Sequence, residues 1–103
     1  MASIPVTIVR FADEAFPGWV ECILTDAQGQ HHTFIEKVPV VALENLGPLS
    51  AYPQGGSISC EIVAESEDSN GRKIARITTE RPWGIESITG SANFNVLASQ
   101  LSR

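Results

Sequence analysis

Apolar side chains recur at every second position in several short stretches, and turn-forming residues separate them, the pattern of β-strands with one buried face. Ile4, Val6 and Ile8 alternate with Pro5, Thr7 and Val9 in a first strand, Ile4 to Phe11. Because Pro5 offers no N–H to a ladder, that strand is expected to begin at a sheet edge. Pro17 and Gly18 break the pattern, and Trp19 to Thr25 then sets Val20, Cys22 and Leu24 on its core face. A third strand, His31 to Val38, is expected to continue past Pro39 toward Val41, with one helical turn over Ala42 to Leu46 before Gly47 and Pro48. Pro53 to Gly56 reads as a loop, and Ser57 to Glu65 is the clearest strand, with Ile58, Cys60, Ile62 and Ala64 on its dry face. A short strand is expected over Ile85 to Thr89. The tail fits a strand over Asn93 to Leu97, followed by a loose or briefly helical end.

Two hairpins fix their own registers. Asp26 offers a side-chain acceptor and Gly29 a left-handed position, so Asp26 closes against Gln30, which sets Cys22 opposite Phe34 and lays Lys37 across the Trp19 indole. Asn70-Gly71 predicts a two-residue type I′ turn in which both residues take positive φ. Closing Ser69 on Arg72 then faces Asp68 with Lys73, Glu65 with Arg76, Ala64 with Ile77 and Ile62 with Thr79.

Strands this short, punctuated this often, predict an all-β fold: a small antiparallel β-barrel or sandwich of six to seven strands with at most one short helical turn. At 103 residues the chain is one domain, residues 1–103, large enough to bury a core without metals or disulfides. Seven Lys and Arg against twelve Asp and Glu leave a net charge of −5. That balance argues against a nucleic-acid backbone or an anionic membrane as main partner and permits a basic protein. No apolar run approaches the length of a membrane span, the longest uninterrupted one being Val40 to Leu43. The opening Met1-Ala2-Ser3-Ile4-Pro5 lacks the basic and apolar regions of a secretory signal, so a cytoplasmic protein is expected. Cys22 and Cys60, on apolar strand faces and far apart in sequence, are expected to be reduced, buried thiols.

The phrases Phe16-Pro17-Gly18-Trp19-Val20-Glu21-Cys22, Glu36-Lys37-Val38-Pro39-Val40 and Pro82-Trp83-Gly84-Ile85-Glu86-Ser87 resemble short uncharacterised bacterial proteins made of one such β domain. The resemblance spans nearly the whole chain and carries no function with it. At fold level the domain is also similar to the β-barrel domains of translation elongation factors, though it has no nucleotide-binding motif.

No constellation of residues reads as a catalytic or metal site, and no cofactor is expected. His31 and His32 are neighbours in a strand and point to opposite faces, so they cannot chelate one ion together. The acids Glu61, Glu65, Glu67 and Asp68 crowd one hairpin but have cross-strand cations beside them. Arg81, Pro82, Trp83, Gly84 and Glu86 place a large ring in a loop between charges of both signs. That ring either folds back as a plug over the barrel end or stands out as an interface anchor. The leading expectation is a non-enzymatic protein-interaction domain that docks a basic partner through Arg81, Trp83 and Glu86, with edge-strand homodimerisation as a further route. The alternatives are a small enzyme or ligand carrier with a barrel-mouth pocket near His31, His32 or Trp83, and a nucleic-acid-binding barrel.

Overall fold

The computed structural model describes residues 1–103 as six antiparallel strands in a single curled sheet. These are β1 (Ala2–Asp13), β2 (Trp19–Thr25), β3 (His31–Lys37), β4 (Gln54–Glu67), β5 (Lys73–Thr78) and β6 (Asn93–Leu97). One helical turn, α1 (Val38–Val41), follows β3, and a 3₁₀ turn over Ala98–Gln100 follows β6. The strand order is β3-β2-β1-β4-β5-β6, so two hairpin-linked groups join where β1 pairs with β4.

The sheet curls into a small barrel closed by scattered backbone bonds. The Ala27 N–H donates to the Asn95 carbonyl, the Ile88 N–H to the Thr33 carbonyl, and Ser3 and Ser102 exchange two backbone bonds. Gln100 donates from its side chain to the Thr25 carbonyl. Phe94 of β6 meets Phe34 of β3 edge-on across the β3–β6 seam, ring centroids 5.8 Å apart. Inside lie Ile4, Ile8, Val20, Cys22, Leu24, Phe34, Ile58, Cys60, Ile77 and Val96, all fully buried. These are the alternate positions expected of one-face-buried strands.

The β2–β3 hairpin has the register the side chains imply: Cys22 pairs with Phe34, Trp19 with Lys37, and the Lys37 ammonium lies 5.6 Å from the indole centroid. The β4–β5 hairpin differs. Its turn is the same five-residue device as the first one, with the Asp68 N–H donating to the Arg72 carbonyl and only Gly71 at positive φ. Asp68 Oδ1 accepts from the N–H groups of Asn70 and Arg72, as Asp26 Oδ1 accepts from Gln28 and Gln30. This carboxylate organises a turn in which Asn70 needs no left-handed conformation. The register therefore slips by one, to Glu67 with Lys73, Glu65 with Ala75 and Ala64 with Arg76. A bulge between Ile62 and Ala64 adds a second residue to the slip, so that Ile62 rather than Ala64 lies opposite Ile77. Ala64 is consequently exposed rather than on the dry face, and Glu65 pairs with Arg103 instead of Arg76.

Four further expectations are corrected. The first strand is not an edge: it lies between β2 and β4, and Pro5 sits where no β2 ladder reaches it, the first β2 pair being Thr7 with Ile23. Gly55 and Gly56 belong to β4, opposite Thr7 and Val6, not to a loop. The helical turn begins at Val38 rather than Ala42, because Pro39 suits the start of a helix and Val38 and Val41, three apart, both reach the core. Ile85 to Thr89 forms no strand, because its backbone bonds are taken up within the loop after β5 and by Thr33.

Cys22 and Cys60 are both fully buried, on opposite sides of β1. Cys22 pairs with Ile8 and Cys60 with Ala2, positions about 20 Å apart at the usual strand rise, too far for a disulfide.

Candidate functional surface

The loop from Thr79 to Ala92 carries the three singled-out residues, and two buried anchors set its shape. Thr79, fully buried, accepts at its carbonyl from the Ile85 N–H, and its hydroxyl donates to the Ile85 carbonyl at 2.8 Å. The Ile85 side chain packs into the core. Between them the chain makes one tight excursion, with the Gly84 N–H donating to the Glu80 carbonyl at 2.6 Å and Gly84 at φ +66°. The tip of that excursion is Trp83, whose indole is 66% exposed. The plug alternative is thereby excluded, since a ring that closed the barrel would be buried.

Arg81 is held at the base of the excursion by Glu61, Nε to Oε2 at 2.8 Å. The ion pair holds the Glu61 carboxyl below its ordinary range and raises the Arg81 guanidinium. Glu86 is exposed and makes no ion pair or side-chain hydrogen bond. Beyond it, Ser87 accepts from the Ser91 N–H and Gly90 turns at φ +82°, which closes the second half of the loop on itself. The structure thus brings Arg81 and Trp83 onto one excursion, with Glu86 immediately after its second anchor.

Trp83 forms one wall of a cleft of about 460 Å³ whose other wall is the outer side of α1 and the residues after it, Pro39, Val40 and Leu43. Leu43 is fully exposed. Ser57 and Ser59 of β4 line the same cleft. This second wall is hidden in the sequence because Val38 to Val41 reads as a continuation of the preceding strand. The signal was available: a proline two residues past a strand end, amid closely spaced valines, is the pattern of a first helical turn. On the other side of the loop, Arg81 and Pro82 border a cleft of about 640 Å³ beside the outer edge of β4, with Ile62 and Glu61.

Several of the remaining titratable groups serve structure. His32 bonds Asp26 at 2.9 Å and lies against Phe94, centroids 4.8 Å apart, so its ring ties the β2–β3 turn to the seam. Burial alone would raise the Asp26 carboxyl; the hydrogen bonds from His32, Gln30 and Gln28 outweigh it and hold that group below the ordinary aspartate value. Burial, with the charges of Glu36 and Glu21, pushes the Cys22 thiol up to about 12, and burial raises Cys60 as well. Thiols so placed supply no thiolate nucleophile near neutral pH. No three His, Cys, Asp or Glu side chains are grouped to hold a metal ion, and no helix is long and apolar enough to cross a membrane.

Parts of the open sheet edge are also guarded. The β3 and β6 edges bond into the seam, at Thr33 and Asn95. The outer side of β4 past Cys60, which lies opposite the first residue of β1, carries the bulge and the charges of Glu61, Glu65 and Glu67. Two clefts stay open on either side of the Trp83 loop, and the one Trp83 shares with α1 carries the exposed indole and Leu43. Comparison of the chain with protein-family models, with curated proteins and with solved structures returns no match.

Proposed function

We propose that this chain is a non-enzymatic protein-interaction domain that docks a basic protein partner in the cytoplasm through the face bearing Arg81, Trp83 and Glu86. The observation that carries this reading is the Trp83 indole, two-thirds exposed yet held on a doubly anchored loop at the wall of an apolar cleft. A large ring exposed on a rigid support costs little ordering entropy when it is buried by a partner, which is why such rings dominate interface energetics. Arg81, fixed by Glu61, and the unpaired Glu86 supply the polar rim. The overall charge of −5 favours a cationic partner.

The test is quantitative copurification from the native host with the wild-type chain and with Trp83→Ala. The reading expects a basic protein that is retained by the wild type and lost with Trp83→Ala, while the melting midpoint stays within about 2 °C, because little buried area is removed. Retention of the same proteins by both chains would refute it.

A further inference from the structure

The 460 Å³ cleft beside Trp83 does not end at α1. A second cleft of about 350 Å³, lined by Gln54, Gly55 and Glu44, shares Val41, Ala42, Leu43 and Ser57 with it, so the two form one continuous groove. Its floor is the outward side of β4, where every second residue is small: Gly55, Ser57, Ser59. A Cβ on Gly55 would meet nothing within 4 Å, so the floor is open there. The two serine hydroxyls make no hydrogen bond within the molecule. From Gly55 to Ser59 the floor runs about 13 Å at the usual strand rise, the span of roughly four residues of extended chain.

The rim of this groove is acidic at the end away from Trp83, where Glu44 lines it. Glu86 is exposed three residues after Trp83. Neither carboxylate makes an ion pair. The nearest cation of the loop, Arg81, is already engaged by Glu61. Of the other cationic side chains, Lys37 adjoins α1 in sequence and its ammonium lies over the Trp19 ring, and Arg10 pairs with Glu21.

We propose that this groove binds an extended apolar peptide segment flanked by lysine or arginine, laid along β4 between Trp83 and Leu43. This rests on the interaction reading above and adds to it the form and chemistry of the occupant. The low floor admits the segment's main chain, and Ser57 and Ser59 offer it hydroxyl partners. The indole and the outer residues of α1 hold its apolar side chains, and Glu44 and Glu86 meet its cationic flanks. An acidic segment is repelled by both carboxylates.

The probe is a displayed library of short random peptides, selected on the intact domain. The expected result is enrichment of aliphatic or prolyl residues next to Lys or Arg, without a helical repeat. Affinity of a selected peptide should fall about thirtyfold in Trp83→Ala and in Leu43→Ser, and about fivefold at low salt in the Glu44→Gln, Glu86→Gln double variant. The Leu43→Ser variant keeps the test decisive if Trp83→Ala folds poorly. No enrichment, or binding indifferent to both Trp83→Ala and Leu43→Ser, overturns the interaction surface itself. Peptides that need Trp83 but are acidic or carry a helical repeat, or that bind equally well to the double variant, overturn the extended cationic segment and leave the surface standing.

Discussion

Gly56→Ala tests how β4 is packed under α1. A Cβ on Gly56 would stand 2.6 Å from the Val41 carbonyl oxygen and 2.7 Å from Ile8 Cδ1. Ile8 is fully buried and Val41 nearly so, and a backbone oxygen cannot swing aside as a flexible side chain does. Overpacking of this kind costs about 1–3 kcal/mol. The restricted unfolded chain returns part of that, about 0.4–1 kcal/mol. A net loss of about 1–2 kcal/mol lowers the melting midpoint of a domain this size by roughly 4–16 °C. Gly55→Ala is the matched control: it changes the unfolded chain equally and meets nothing within 4 Å, so its midpoint should be no lower than wild type. Circular dichroism melts of both variants make the comparison. Ile8→Val in the Gly56→Ala background should then cost less than the separate losses add up to, because it removes the Cδ1 contact, while the Val41 carbonyl keeps the rescue incomplete. Equal melting of Gly55→Ala and Gly56→Ala, or strict additivity with Ile8→Val, would refute this account of the packing.

Asn70→Ala should leave stability within about 0.5 kcal/mol, while Gly71→Ala, forced to φ +78°, should lose about 1 kcal/mol or more; equal losses in urea titrations would favour a turn with both residues left-handed. Asp26→Asn should destabilise the domain by about 1–3 kcal/mol at neutral pH by weakening its bonds to His32, Gln28 and Gln30. Because the native Asp26 carboxyl is depressed, its contribution is present above the unfolded value of about 4 and is lost as pH falls through the lower native value. The gap between wild type and Asp26→Asn should narrow over that acid range, and a gap constant down to about pH 2 would contradict the linkage. With its pKa pushed up to about 12, Cys22 should resist alkylation at pH 8 until the domain unfolds, after which both Cys22 and Cys60 should react; rapid native labelling of either would contradict their burial.

Much of this molecule is legible in its sequence, and the legible parts are local. Period-two alternation in Ile4-Val6-Ile8, Val20-Cys22-Leu24 and Ile58-Cys60 marks core faces because successive strand side chains point to opposite sides whatever the strand pairs with. The β2–β3 register follows from Asp26, Gly29 and the Trp19–Lys37 pair, all within one hairpin. The loop of Arg81, Trp83 and Glu86 stands out because proline, glycine and a large ring interrupt the alternation. Tertiary structure decided the rest. The sequence of the second hairpin supports two registers, and the Asp68 side chain with a bulge near Val63 selects the one that puts Ile62, in place of Ala64, against Ile77. Whether Trp83 plugs the barrel or faces solvent depends on Thr79 and Ile85, whose bonds fix the loop's direction. The α1 wall of the groove exists because Val38 and Val41 reach a core assembled from distant strands, which turns Pro39 and Val40 outward and brings Leu43 beside them. A sequence records which side chains favour burial; which exposed ones become neighbours is set by long-range pairing, here the closing of the sheet through β1 and β4.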